Sequence, residues 1–253
     1  MDRSLASLDG KTSIVTGSAQ GVGKGMAMGL AAFGSNIVVA DINGEMAETT
    51  AKELEAHGIQ AMPFTVNVRQ VAEVEAMVKA TMDRFGRVDV LINNVGGTFE
   101  ADFLDVSERG AEALIDINLK SVFHCTRAVA REMIEVGRGG SIIGVTTLHT
   151  FYSAARHAVY SACKAGVDNF VNSLAVELAP HNIRVNSIVP GLVETPGVSY
   201  EGRDTNSSVP MGRIADIEEM AGVAVFLASD MSSYVSGAHI LVDGALTAAG
   251  GRH

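Results

Sequence analysis

Apolar residues along this chain gather in short runs that return at regular intervals. Seven of the runs are rich in β-branched residues: Ser13 to Thr16, Ile37 to Ala40, Met62 to Val66, Val88 to Ile92, Ser141 to Val145, Val185 to Val189 and His239 to Val242. Between them lie longer stretches with a helical repeat. In the stretch after the third run, Val71, Val74, Met77, Val78, Met82 and Phe85 recur at spacings of three and four, which marks one apolar helix face. Most of the short runs are apolar at successive positions, as strands covered on both faces must be, and strands separated by helices pair in parallel. The pattern predicts an α/β fold: a doubly wound (Rossmann) parallel sheet of seven strands with helices on both faces. No repeat, low-complexity tract or Pro/Ser-rich linker marks a boundary, so residues 1–253 are expected to form a single domain. Such sheets bind ligands at the carboxyl ends of their strands, and the chemistry is sought there.

After the first strand comes Thr16-Gly17-Ser18-Ala19-Gln20-Gly21-Val22-Gly23, followed at once by helical Lys24 to Phe33. Glycines in such a turn let bare N–H groups at a helix N-terminus approach a pyrophosphate. The alternative is a plain packing turn, but its place after strand one favours nucleotide binding by Gly17, Gln20, Gly21, Val22 and Gly23. Asp41 ends the second strand, eighteen residues past Gly23. A carboxylate there accepts both ribose hydroxyls and repels a 2′-phosphate, which points to NAD over NADP. Asp41 or Asn43 as a mere cap of the next helix is the competing reading. No Arg or Lys occupies positions 18–22 or 42–44 to neutralise a 2′-phosphate. Asn67 and Val68 after strand three are expected at the adenine pocket, and Asn94 and Gly96 after strand four at the floor of the ribose site.

Composition narrows the class. Net charge is −10 and no run of Lys or Arg exceeds one residue, so nucleic acid and membrane surfaces are not expected partners. The segment Met1 to Lys11 has no apolar core, and the charge-free stretch Gly25 to Ala40 is short for a span and broken by Gly34, Ser35 and Asn36; a cytoplasmic location is the expectation. The two cysteines and seven histidines show no ligand spacing, so no metal is expected.

Of the four tyrosines, only Tyr160 has a lysine four residues on, Lys164, which places phenol and ammonium on one helix face. The pair gains weight from the hydroxyl-rich strand end Val145-Thr146-Thr147, thirteen residues before Tyr160 in the case of Thr147. A phenol titrates at about 10 and works as a base near neutrality only beside a positive charge. Lys164 is expected to supply that charge, and Thr147, with Thr146 as its rival, to hydrogen-bond the substrate oxygen while Tyr160 carries its proton.

Taken together, Thr-Gly-x-x-x-Gly-x-Gly at 16–23, Asn-Asn-x-Gly at 93–96, Asn118, Thr147, Tyr160-x-x-x-Lys164, Pro190-Gly191 and Thr195 resemble, in order and spacing, the short-chain dehydrogenase/reductase family. The resemblance runs through Pro210 to Arg213 and Phe226 to Asp230 and so covers nearly the whole chain. It implies a tetrad in which Tyr160 is the acid/base, Lys164 lowers its pKa and holds the ribose, Thr147 stands where the family usually has serine, and Asn118 binds a relay water. Pro190, Gly191, Val193 and Thr195 would orient the nicotinamide. Hydride would pass between NAD and a secondary alcohol or its ketone.

A 3-oxoacyl-(acyl-carrier-protein) reductase is the nearest alternative, though such enzymes typically use NADPH, which Asp41 opposes. A non-catalytic NAD-sensing protein is a further one, which has no need of phenol, lysine and hydroxyl together. Substrate walls are expected from Gly97 to Phe103, Leu148 to His157 and a loop at about 191–210, suiting a small or medium alcohol of some polarity; His149 either meets a polar substrate group or faces solvent. By resemblance the protein is expected to be a homotetramer, joined through the largely apolar helix Leu114 to Met133, the helix of Tyr160 and the edge strand Val235 to Ala245.

Overall fold

A computed structural model describes residues 2–196 and 208–250. In chain order the regular elements are β1 (Thr12–Thr16), α1 (Gly21–Ala32), β2 (Asn36–Asp41), α2 (Gly44–Leu54), β3 (Ala61–Thr65), α3 (Val71–Phe85), β4 (Val90–Asn93), α4 (Glu108–Ile115), α5 (Ser121–Val136), β5 (Gly140–Val145), α6 (Ala158–Leu178), β6 (Ile183–Pro190), α7 (Glu219–Ala228) and β7 (His239–Val242). All seven strands are parallel and lie in the order β3-β2-β1-β4-β5-β6-β7. The order reverses between β1 and β4, which opens the crevice where such folds bind nucleotides.

Successive residues of each strand feed two separate cores, as the period of two demands. Val15, Ile37, Val39, Ile92, Ile143 and Ile188 pack on one side with Met26, Ala27 and Leu30 of α1 and Met220, Ala224 and Leu227 of α7. Ile14, Val38, Ala40, Leu91, Ile142 and Val185 pack on the other with Val74, Met77 and Val78 of α3, Val129 and Met133 of α5 and Val171 of α6. This double coverage explains the unbroken apolar runs of β1, β2 and β4. β3 pairs only with β2 and alternates in burial, and its Pro63, which has no N–H to give, sits where an outer strand tolerates it.

Three expectations are corrected in detail. The first helix begins at Gly21, three residues ahead of Lys24, because the glycines themselves form its opening turn. The helix expected over Leu114 to Met133 is two helices joined by a π-helical turn, Asp116–Lys120. The last strand spans only His239–Val242 rather than Val235 to Ala245, since Ser236 and Gly237 are spent bonding the start of β6.

The helices on the α1 side approach closely enough to exclude side chains. A Cβ at Gly25 would lie 2.4 Å from the backbone oxygen of Ile217, and one at Gly29 2.5 Å from Ala221 Cβ. Gly25→Ala should therefore destabilise the fold by about 1–3 kcal/mol, although alanine is the better helix former. Urea denaturation measures this; an unchanged or raised stability would show that α1 and the Ile217 segment separate without cost.

Candidate active site

The β1–α1 turn is shaped by its glycines. Gly17 (φ +64°) and Gly21 (φ +58°) occupy left-handed backbone, and a Cβ on Gly23 would fall 2.2 Å from the Gly17 carbonyl oxygen. α1 therefore starts hard against the turn, with Gln20 in extended conformation at its N-cap and no side chain capping its first N–H groups. Asn94 braces the turn from the end of β4: its Nδ2 donates to the carbonyls of Thr16 and Gly17, each at 3.0 Å. Thr16 Oγ1 in return accepts from the backbone of Asn94 (3.0 Å) and Val95 (3.2 Å).

These groups border a cleft of about 370 Å³ whose lining includes Gly17, Gln20, Gly21, Val22, Asp41, Asn67, Val68, Asn94, Gly96 and Thr195. The sheet thus brings together most of the positions expected to hold the cofactor. A Cβ at Gly21 would point across this cleft toward Thr195, 3.7 Å away. The donor set fits a dinucleotide: free helix N–H groups for a pyrophosphate, a carboxylate for the ribose and a slot beyond it for the adenine. Asp41 lines the cleft and also braces the turns on either side of it. Its Oδ2 accepts from Ala19 N at 3.1 Å and its Oδ1 from Asn43 N at 3.0 Å, while Asn43 caps α2 through Met46 N. Arg69 also lines the cleft, a cation that inspection of positions 18–22 and 42–44 missed because it follows β3; its Nε donates to Asn67 Oδ1 at 3.2 Å.

Pro190 ends β6, and the chain beyond it is held by pairing with the segment before α7. Val193 bridges Ala215, Glu194 N donates to Ala215 O and Ala215 N to Leu192 O, both at 2.9 Å. Gly191 packs so near β7 that a Cβ would lie 2.6 Å from Asp243 Cα. Of the expected substrate loop, residues 197–207 lie outside the described residues, Tyr200 and Arg203 among them.

At the start of α6, Tyr160 and Lys164 lie one turn apart with the Lys164 Nζ 6.0 Å from the Tyr160 ring centre. Lys164 is buried and donates to the Val145 carbonyl at 2.8 Å, which ties α6 to the end of β5. The Thr147 side chain stands near enough to the Tyr160 hydroxyl to pull its pKa down against burial. Thr146 is buried and its hydroxyl lacks a partner, so the geometry separates the two threonines. Asn118, fully buried in the π turn, accepts from Gly97 N at 3.1 Å and donates to the Gly97 and Leu114 carbonyls at 2.8 and 2.9 Å. A Cβ on Gly96 would touch both Asn118 Oδ1 (2.9 Å) and Lys164 Nζ (3.0 Å), so glycine is what lets these groups converge.

The electrostatics differ from expectation. Burial raises the Tyr160 phenol above its ordinary value, with the Thr147 side chain opposing it. Burial also brings Lys164 down to about 8, against the pull of Asp168 and Cys163. The expected lowering of the phenol by Lys164 is therefore not what the protein groups alone produce. On the open side of Tyr160 stand His149 and His157, with ring centres 6.1 and 6.3 Å from its own. His157 Nδ1 lies 3.2 Å from Thr98 Oγ1, and Arg156 pairs with Glu100 at 3.1 Å and Asp102 at 3.6 Å. His149 thus packs on the phenol instead of facing away.

Comparison with known proteins agrees with this arrangement. A family model described as enoyl-(acyl carrier protein) reductase matches residues 17–247. The 3-oxoacyl-(acyl-carrier-protein) reductase FabG of Thermotoga maritima is 38% identical over 243 residues, 94% of this chain and 98% of that protein. A gluconate 5-dehydrogenase from Burkholderia cenocepacia, solved in complex with NADP and tartrate, superposes with a TM-score of 0.90 at 33% identity, covering 96% of this chain and 98% of its own. A 7α-hydroxysteroid dehydrogenase complexed with NADH and a 7-oxo bile acid reaches 0.92 at 31% identity, with 96% and 97% covered. The chain belongs to the short-chain dehydrogenase/reductase family. It is an oxidoreductase of CH–OH groups, passing hydride between a secondary alcohol or its ketone and a nicotinamide cofactor.

Among the described residues no helix is long and apolar enough to cross a membrane, and no group of three or more His, Cys, Asp or Glu side chains gathers to hold a metal ion.

The burial of Lys164 has a consequence for stability. Below about pH 8 the lysine is an ammonium in both folded and unfolded chains and the full cost of burying it is felt; above its ordinary 10.5 it is neutral in both. Folding stability should therefore climb between these limits by about 3 kcal/mol more in the native protein than in Lys164→Met. Urea denaturation across that range reads the difference; parallel curves for the two proteins would contradict a depressed Lys164.

Proposed function

We propose that this protein is an NAD-dependent alcohol dehydrogenase/ketone reductase in which Tyr160 is the acid/base, Thr147 orients the substrate oxygen, and Lys164 and Asn118 complete the catalytic group. The observation that carries the reading is the convergence at one strand edge: Tyr160 with Lys164 one turn on, Lys164 tied to Val145 just ahead of Thr147, and Gly96 of the cleft lining against Lys164 and Asn118. When bound, the cofactor supplies the hydride donor or acceptor and, oxidised, a positive charge beside the phenol. Thr147 and Tyr160 hold the substrate oxygen between two hydroxyls, so its carbon faces the nicotinamide side of the cleft. In reduction the phenol gives its proton to the forming alkoxide, and its raised pKa keeps that proton in place at neutral pH. In oxidation the phenolate form of the same oxygen takes the alcohol's proton and becomes the phenol, and Lys164 stabilises the phenolate before that transfer. Asn118, already committed to Gly97 and Leu114 through its side chain, stands with Lys164 around Gly96.

NAD is favoured over NADP by Asp41, whose carboxylate borders the ribose end of the cleft and opposes a 2′-phosphate. The wall formed by His149, His157 and Glu100 supports a substrate with polar groups beside its carbinol. A cytoplasmic homotetramer belongs to the same reading: Cys125 and Cys163 are free thiols, and Phe123 of α5, Val176 of α6 and Leu241 of β7 leave apolar surface for a partner copy. An acyl-carrier-protein thioester is the second substrate class, favoured by the relative from Thermotoga maritima.

The decisive assay is a panel of polar secondary alcohols and 3-oxoacyl thioesters with NAD(H) and NADP(H), followed by absorbance of the reduced cofactor. Tyr160→Phe should lose about 10²–10⁴-fold in kcat while cofactor affinity stays within a few-fold; full turnover in this variant would end the assignment. Asp41→Asn should improve the NADP to NAD ratio of kcat/KM by about tenfold or more. A wild type that already prefers NADP would show that Arg69, not Asp41, governs the choice.

A further inference from the structure

At the end of the sheet opposite the cofactor cleft lies a second and larger cavity, of about 650 Å³, that the reaction does not use. It opens at the amino ends of β1, β4, β5 and β6, where Lys11, Asp89, Ser141 and Ile183 belong to its lining. Small-molecule sites commonly enclose roughly 300–1,000 Å³, so the space suits a ligand. Its charge runs against that of the chain. The protein carries a net −10, yet four cations and only two carboxylates line this cavity.

Cations gather at such an edge for a plain reason, since the helices of a parallel sheet end here and leave carbonyls without partners. That reason accounts for part of the set. Arg184 serves α7 in this way: its Nη2 donates to the carbonyls of Leu227 at 2.7 Å and Ser229 at 3.3 Å, and its Nη1 to Val235 O at 3.4 Å. Both carboxylates are already matched. Lys11 pairs with Asp230 at 3.0 Å and Arg87 with Asp89, whose other oxygen accepts from Thr12 N and ties β4 to β1. No carboxylate among the described residues forms an ion pair with Arg184, and exposed Arg138 has neither hydrogen-bond nor ion-pair partner among them. Nor does α5 call on Arg138, because Gly137 closes that helix by donating to Met133 O at 3.0 Å. The backbone around Arg138 is fixed by Gly137 (φ +71°) and Gly139 (φ +74°), the latter so close to the start of β6 that a Cβ would lie 2.4 Å from Asn182 O.

Two guanidinium charges are thus left for something else, and beside them the ring of Tyr234, which also lines the cavity, is fully exposed. Arg184 stands between the other two: its register partner on β5 is Ser141, three residues after Arg138, and its Nη1 reaches Val235, next to Tyr234. Guanidinium forks match phosphate oxygens, and a phosphate monoester near neutral pH carries about −1.5 to −2, which balances two such charges. A bare aromatic ring offers a stacking face. We propose that this cavity is a second binding site, for a small molecule that joins a phosphate to a planar ring, a nucleoside monophosphate being the simplest of that class. Arg138 and Arg184 take the phosphate and Tyr234 stacks on the ring. The site lies at the far end of the strands from Gly17, Asp41 and Asn94, so it and the cofactor cleft can be filled together.

The test is calorimetric titration of the whole protein with uridine monophosphate, with uridine and inorganic phosphate as the partial probes, each in the absence and presence of saturating NADH. The nucleotide should bind at one site per chain, about tenfold or more tighter than either partial probe, and NADH should leave its affinity unchanged. Arg138→Gln should weaken the nucleotide about tenfold, with Arg138→Lys, which keeps the charge and loses the fork, falling between that variant and the native protein. Tyr234→Ala should weaken it about fivefold or more. Both side chains are exposed, so the variants should unfold at the native temperature, which is checked first. Absence of binding at millimolar nucleotide, equal affinity for phosphate alone, or an affinity unmoved in either Arg138→Gln or Tyr234→Ala would overturn the proposal. Displacement by NADH would overturn it too, by placing the nucleotide in the cofactor cleft.

Discussion

Every central strand of this sheet is covered on both faces, and that constraint governs where the protein can do chemistry. A strand with cores above and below has no room for polar side chains along its length, so they are driven to its ends. The carboxyl ends of β1, β2, β4, β5 and β6 accordingly carry Gly17, Asp41, Asn94, Thr147 and the Pro190 segment, and the reversal of strand order between β1 and β4 opens a crevice among them. The asymmetry comes from the right-handed crossovers: with all strands parallel, each helix that follows a strand begins at the same edge. The N–H groups of α1 and the phenol of α6 therefore meet at one rim without either helix having to bend.

Lys164 shows what that arrangement costs. An ammonium in full burial has to be compensated, and the chain offers one carbonyl at 2.8 Å, a carboxylate a turn away and the floor made by Asn118 and Gly96. Each compensating group comes from a different element, so the site is rigid because the charge is buried. The π turn at Asp116–Lys120 belongs to the same logic. Inserting one residue in the helical ladder turns Asn118 inward, where it bonds the Gly97 backbone on both its donor and acceptor sides. The similar solved structures include one complex with NADP and one with NADH, and in this chain Asp41 and Arg69 both line the cleft.

Much was legible in the sequence because its signals are local. The seven apolar runs, the glycine spacing at 17, 21 and 23 and the interval from Tyr160 to Lys164 each reflect a short-range requirement: strand burial, positive φ and close approach, or one turn of helix. The same local signals selected Asp41 and placed Thr147 ahead of Thr146. What they could not reveal depends on distance in space between residues far apart in the chain. Arg69 enters the cofactor cleft because β3 lies beside β2, and the π turn follows from a contact between Asn118 and Gly97 that no periodicity encodes. The direction in which Tyr160 and Lys164 are shifted was likewise decided by burial, and burial is a property of the packed fold. Residue types and spacings along the chain thus determined which groups stand at the rim. Only tertiary structure decided their protonation and their partners, since desolvation and contact arise when β5, β6 and β7 are laid side by side.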